Sequence, residues 1–166
     1  MARRGHGRII NVGSLAGVFT VPWFGASSAT KYAVEAVSDA LRLELAPFGV
    51  HVVLVEPSVV GTGFVDAAVA SLAQAQASST WRDALAHTLA HRDVLSTVTV
   101  TPERVADVIF RAATARAPRA RYRVGALASL LRRGASLLPT PVRDRLLRAL
   151  VGLRRPHLTF AEENPA

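Results

Sequence analysis

Apolar residues gather into two β-branched runs separated by one long helical stripe. Arg8-Ile9-Ile10-Asn11-Val12, bounded by Gly7 and Gly13, suits a short strand buried on both faces. Val50-His51-Val52-Val53-Leu54-Val55-Glu56 is the clearest strand in the chain, and Pro57-Ser58 closes it. Between them, Ala29, Ala33, Ala36, Val37, Ala40, Leu41 and Leu45 recur at three- and four-residue steps, predicting a helix over 26–45 with one broad apolar stripe. Ser27 or Ser28 is expected to cap its start, and Pro47 with Gly49 to stop it. Strand, helix and strand with short links predict the right-handed crossover of a parallel α/β sheet. The alanines would let a partner helix approach closely, which suggests a homo-oligomer paired through helix 26–45.

The rest of the chain is less regular. Gly13 to Gly17 reads as a loop, and Pro22-Trp23-Phe24 fits either a pocket wall or a packed loop. Residues 62–97 are alanine-rich, with two loosely amphipathic helices at Val65–Ala77 and Trp81–His91. An insertion there, after a strand's carboxyl end, suits a substrate lid, and an ordinary helical connection equally. Thr101-Pro102-Glu103 is a helix start, with Thr as cap, Pro at the first position and an acid in the first turn. Val105, Val108, Ile109 and Ala112 form that helix's core stripe, Pro118 ends it, and Arg121 to Gly125 is a short strand candidate. Leu127–Leu138 and Pro141–Leu153 read as basic amphipathic helices, and His157–Ala166 as a frayed tail. The expected division is an α/β unit over 1–125, a helical extension over 126–156 and a tail over 157–166.

Composition narrows the function classes. The 166 residues suffice for one domain with a core, and half are apolar. With no cysteine, a disulfide scaffold, a thiol nucleophile and a cysteine-ligated zinc site are excluded, and cytoplasm is the expected compartment. MARRGHGR followed by an apolar stretch imitates a signal peptide, but Asn-Val-Gly-Ser interrupts the apolar region. No uncharged apolar run reaches the ~18–20 residues that span a bilayer. His87 and His91 have a zinc-compatible spacing, with no third ligand evident, so no metal is expected. The net charge is +8, and the stretch Arg116–Arg155 carries eleven arginines against Asp144. Leucines alternate with those arginines as in a helix lying on a membrane surface, or one packing its leucines on the protein. Few aromatic residues are available for stacking, which argues against a nucleic-acid partner.

Three stretches carry a chemical signature: Asn11-Val12-Gly13-Ser14 after the first strand, Ala29-Thr30-Lys31-Tyr32-Ala33-Val34-Glu35 in the helix, and Glu56-Pro57-Ser58-Val59-Val60-Gly61-Thr62 after the second strand. Their order and spacing resemble the second half of a short-chain dehydrogenase/reductase. That family has a Rossmann-type fold and moves hydride between NAD or NADP and an alcohol or ketone. The clear resemblance covers Gly7 to Phe64, with a fainter one through the Pro102 helix and Arg121–Gly125. It implies a serine that polarises the substrate oxygen, a tyrosine thirteen residues later that transfers the proton, and a lysine four residues beyond. The lysine lowers the tyrosine's pKa, which starts near ~10, and holds the nicotinamide ribose. Carried over, the serine is Ser14 and the lysine is Lys31, while the tyrosine position is Ser27. The resemblance places the cofactor on Lys31, Pro57, Ser58, Val60 and Thr62.

Two departures stand out. A serine hydroxyl is a far weaker acid than a phenol and stops several ångströms short. Tyr32 does not substitute, because it points about 100° away around the helix. The family's glycine-rich GxxxGxG turn also does not occur in this sequence, and Ser58 stands where a glycine is usual. In the family's sheet order, 3-2-1-4-5-6-7, the resemblance assigns this chain the last three strands. The resulting expectation is a partial, doubly wound parallel sheet with an unpaired apolar edge at Arg8–Val12 and an uncovered helix 26–45. A partner supplying the other half, or a longer gene product of which this is a piece, would complete it, and the piece is the expected case. Substrates are expected to be alcohols or ketones, with lipophilic ones suggested by the C-terminal helices. Turnover by the isolated chain is expected to be impaired, and a non-catalytic pairing module or a membrane-surface remnant is the alternative.

Overall fold

The computed structural model describes residues 1–76, 81–91, 99–126, 134 and 137–153. Strand β1 (Gly7–Val12) leads through a short 3-10 turn at Leu15–Gly17 into helix α1 (Gly25–Leu45), which returns to β2 (Val50–Pro57). Helices α2 (Gly63–Gln76) and α3 (Arg82–Ala90) pack on each other. Helix α4 (Pro102–Thr114), strand β3 (Arg121–Val124) and helix α5 (Thr140–Leu150) complete the described elements. All strands are parallel in the order β1-β2-β3, with Gly7 opposite Val50 and Leu54 opposite Arg121. The expected parallel sheet and crossover are therefore present, with β1 as an edge of the described sheet.

Central strand β2 is buried along its length except at His51, which explains its near-continuous apolar letters. The sheet's two faces differ in chemistry. On one, Ile10, Val55, Tyr122 and Val124 pack against Val105, Val108 and Ile109 of α4. Each buried aliphatic side chain there contributes roughly 1.5–3 kcal/mol. Arg8, on the same face of β1, donates to the carbonyls of Ala112, Ala113 and Ala115, closing the carboxyl end of α4. At the other end of α4, Thr101 Oγ1 accepts from the Arg104 amide at 3.3 Å, the cap that the Thr-Pro-Glu signature predicts.

Against the other face lies α1, and here one expectation needs correction. Helix α1 begins at Gly25 with Phe24 before it, and neither Ser27 nor Ser28 caps its start; both lie within the first turns. Its alanine stripe does not face the sheet: Ala29, Ala33, Ala36 and Ala40 are exposed, and Val37 is 55% exposed. The buried positions are Ser28, Glu35 and Ser38, with Lys31, Arg42 and Leu45 half-buried on the same heptad-like row. The reason is complementarity. This face of the sheet presents Asn11, Glu56 and Arg121, so a polar row of α1 satisfies it by hydrogen bonds and ion pairs that alanines would leave unmade. Asn11 Nδ2 donates to Ser38 Oγ at 2.9 Å, and Ser38 Oγ donates to the Val34 carbonyl at 2.6 Å.

The short Ala46–Phe48 turn and Gly49, at φ 66°, end α1 as the Pro-Phe-Gly letters predict. Most of the predicted Leu127–Leu138 helix and the whole of the 157–166 tail lie outside the described residues, as do 77–80 and 92–98 of the lid-like segment.

Candidate active site

The signature residues converge at the carboxyl ends of the parallel strands, where ligands bind in open α/β sheets. Gly13 leaves β1 with its amide donating to the Val55 carbonyl at 2.9 Å, keeping the chain beside β2 for one further residue. Ser14 follows in extended conformation and caps the 3-10 turn, its Oγ accepting from the Ala16 amide at 3.1 Å. Gly17 then seats on α1. A Cβ there would lie 2.8 Å from the Lys31 carbonyl oxygen and 2.9 Å from Glu35 Cγ. That close approach fixes the Ser14 turn against the helix segment bearing Lys31.

Ser27 and Lys31 lie one turn apart on α1 and are both half-buried. The Ser27 carbonyl accepts from Thr30 Oγ1 at 2.7 Å. Beside it, Ser28 is 2% exposed, and its hydroxyl has no hydrogen-bond partner among the described residues. Tyr32 is 43% exposed and turned to the outer side of the helix, as the helical rotation predicts.

The 57–62 loop is tied down by its own amides. Ser58 donates to the Val124 carbonyl at 2.9 Å, Gly61 to Val100 at 3.0 Å and Thr62 to Val60 at 2.8 Å. These three amides are thus engaged within the described residues. Ser58 is 5% exposed, with Oγ 2.5 Å from where a Cβ on Gly125 would stand, so its side chain is turned into the sheet. Gly125 itself sits at φ 102°, a conformation that favours glycine. Thr62 is exposed, its Oγ1 accepting from the Phe64 amide at 3.4 Å where α2 begins. Of the residues assigned to a nicotinamide cofactor, Lys31, Val60 and Thr62 keep some exposure, while Pro57 and Ser58 are buried.

Next to the first turns of α1 opens a cleft of about 710 Å³, walled by the Thr20–Trp23 segment, Gly25 and Tyr32 on one side and by α5 on the other. Trp23 holds φ 74°, a left-handed conformation that costs a bulky residue ~1–2 kcal/mol. Two contacts hold it there. Its indole Nε1 donates to Thr88 Oγ1 at 3.4 Å, and its ring meets Trp81 at 6.3 Å in a tilted pair. Pattern reading left Trp23 between pocket wall and packed loop, and the structure makes it both. The contribution of α5 to this cleft was not legible in the sequence, because a basic helix carries no marker of what it packs against. His87 and His91 stack with ring centroids 4.2 Å apart, and His91 Nδ1 lies 2.8 Å from the His87 carbonyl. No cluster of three metal-ligating side chains occurs among the described residues.

Beneath the site lies a cluster of charges. Arg121 of β3 pairs with Glu35, with Asp39 at 2.7 Å and with Glu56 at 3.4 Å, and Arg123 Nε lies 3.7 Å from Glu56. Burial works to lower the pKa of Arg121, but the hydrogen bond and charge of Glu35, then Glu56 and Asp39, outweigh it and raise it. The sequence reading gave these acids no role of their own, although Glu35 and Asp39 lie one helical turn apart.

Comparison with known proteins agrees with this geometry. The profile of the family described as short chain dehydrogenase matches residues 1–73. The chain is 33% identical over 147 residues to an uncharacterized oxidoreductase, YbbO, of Escherichia coli, which spans 89% of this chain and 50% of that protein. It is 32% identical over 141 residues to an NADPH-dependent 3-dehydrocapnine reductase of Ornithobacterium rhinotracheale, covering 85% of this chain and 50% of the relative. A solved short-chain dehydrogenase from Streptomyces avermitilis superposes with a TM-score of 0.63 at 25% identity, covering 88% of this chain and 51% of the other. The chain thus spans about half the length of the curated relatives it matches. Parallel strands in the family's order, the serine turn seated on the lysine helix, and these likenesses together place the chain in the short-chain dehydrogenase/reductase family.

Proposed function

We propose that this chain carries the substrate-side half of an NAD(P)-dependent oxidoreductase acting on an alcohol or ketone, with its proton-transfer step impaired. Ser14 would polarise the substrate oxygen, and Lys31, Pro57, Val60 and Thr62 would hold the nicotinamide-ribose end of the cofactor. When bound, the cofactor would exchange hydride with the carbinol or carbonyl carbon. The Ser58, Gly61 and Thr62 amides are already hydrogen-bonded and the sequence has no GxxxGxG turn, which fits a share of the cofactor site and not the whole. The observation carrying the impairment is Ser27: in the first turns of α1, one turn before Lys31, a short hydroxyl stands in the tyrosine position. Lys31 there has no phenol whose ionisation it could favour. The NADPH named for the capnine-reducing relative supports NADPH as the first cofactor to try.

Titration of the folded chain with NADPH and NADH, followed by cofactor fluorescence, tests this reading. No saturable binding is expected below roughly 1 mM. Tight binding with turnover by the unaltered chain would overturn the impairment. In that event the Ser27→Tyr variant would show whether a phenol adds to the rate.

The exposed Ala29–Ala33–Ala36–Val37–Ala40 face of α1 favours a second role, pairing with another copy through this helix. Exposed Val142, Leu146 and Leu150 beside arginines on α5 fit peripheral contact with a membrane surface. No helix among the described residues is long and apolar enough to cross a membrane.

A further inference from the structure

The cleft beside α1 combines two kinds of wall. Val21, Pro22 and Trp23 supply an apolar side, and Leu147 continues it from α5. The same face of α5 brings Arg143 and Arg148 to the cleft, with Asp144 between them. Positions 143 and 147, and 144 and 148, are each one helical turn apart, so this lining is one side of a single helix. Asp144 offsets one arginine only in part: its carboxylate lies 4.0 Å from Arg143 Nε, at the limit of an ion pair. Arg148 Nε donates to the Asp144 main-chain carbonyl at 3.3 Å, which leaves the guanidinium's other N–H groups for a ligand.

The helix that presents them is seated on α3. Val151 is 7% exposed, its carbonyl lies 3.5 Å from Thr88 Oγ1, and a Cβ on Gly152 would stand 2.7 Å from the His87 ring. Thr88 is also the acceptor for Trp23. One hydroxyl therefore ties together the aromatic wall, helix α3 and the end of α5. The arginines face the apolar wall across a space set by packing.

We propose that this cleft binds the non-reacting part of an amphipathic anion, its apolar chain lying on Trp23 and Leu147 and its carboxylate or phosphate held by Arg143 and Arg148. This rests on the reading of the chain as the substrate-side half of an oxidoreductase, with the cleft beside the first turns of α1. It adds that the substrate carries an acidic group away from the carbon that reacts. Forked guanidinium donors suit planar carboxylate and tetrahedral phosphate oxygens, and a desolvating aromatic wall strengthens the pairing.

The test is calorimetric titration of the full chain, without cofactor, with octyl phosphate, octanoate, octanol and octylammonium kept monomeric. Because no turnover is read, failure of hydride chemistry does not affect it. Octyl phosphate and octanoate are expected to bind saturably, about tenfold or more tighter than octanol, with octylammonium weakest. The R143Q/R148Q double variant, with an unchanged far-UV spectrum, should bring octyl phosphate down to the octanol level. Raised salt on the unaltered chain should weaken the anions and not octanol. Equal binding of octanol and octyl phosphate would overturn the proposal, as would a preference for octylammonium, which would make Asp144 the recognising group. Binding to vesicles containing phosphatidic acid without binding of monomeric octyl phosphate would also overturn it, making α5 a surface contact.

Discussion

Arg121 and Glu35, 86 residues apart in sequence, join β3 to the inner face of α1 by a hydrogen-bonded ion pair that passes beside Glu56. This pair links the family's lysine helix to the third strand through charge.

Removing the cation should therefore be costly. Arg121→Met leaves Glu35, Asp39 and the 2%-exposed Glu56 without their shared partner, and a loss of about 3–5 kcal/mol is expected in urea unfolding. Adding Glu35→Gln should recover part of that loss. Additive effects of the two changes would show that they do not interact.

The same cluster gives an acid-side dependence. Arg42, through its hydrogen bond, and then Arg121 hold the Asp39 carboxyl below its ordinary 3.8, against the opposing effect of burial. A carboxyl with a lowered folded pKa stabilises fully above pH 3.8, and that contribution is lost as pH falls through the folded value. Asp39→Asn should flatten the fall in thermal midpoint below pH 3.8. An unchanged acid limb would remove Asp39 from the cause.

Gly17 sets how closely the Ser14 turn approaches α1. In Gly17→Ala the added methyl meets the Lys31 carbonyl oxygen, a backbone atom that cannot swing aside. A cost of ~1–3 kcal/mol is expected, read as a thermal midpoint lowered by several degrees. A stability equal to the unaltered chain would mean that the turn is not held against the helix.

Ser28 gives the opposite sign. Its buried hydroxyl lacks a hydrogen bond among the described residues, so Ser28→Ala should leave stability unchanged or raise it by up to about 1 kcal/mol. A marked loss in chemical denaturation would reveal that the hydroxyl is satisfied.

For pairing through α1, Val37→Arg places a charge in the middle of the exposed apolar face. A shift toward monomer in sedimentation velocity is expected. A sedimentation coefficient that does not change would take this face out of any interface.

Much of the fold was legible because the periodicities are strong. The β-branched runs at Ile9–Val12 and Val50–Val55 became β1 and β2, and Thr101-Pro102-Glu103 opens α4 with its predicted cap. The inner face of α1 was not legible for a physical reason. Its buried polar row answers Asn11, Glu56 and Arg121, which stand among apolar residues of the opposing sheet face, and the helix sequence alone does not say which strand residues it will meet. The signature positions are read from spacing alone, Ser14 on one turn and Ser27 with Lys31 on one helix. What spacing could not give was the inward rotation of Ser58, which meets Gly125 just past β3, 67 residues later, or the placing of Arg143 and Arg148 opposite Trp23.

Arg8 donates to carbonyls of Ala112 and Ala113, 104 and 105 positions further along the chain. During synthesis the strand bearing Arg8 would leave the ribosome long before the helix end it completes. Neither that guanidinium nor those carbonyls can find their native partner until most of the chain has emerged. Until α4 is made, the face of β1 that carries Arg8 and Ile10 lacks its cover, so slowing translation between β1 and α4 should raise the yield of aggregated chain.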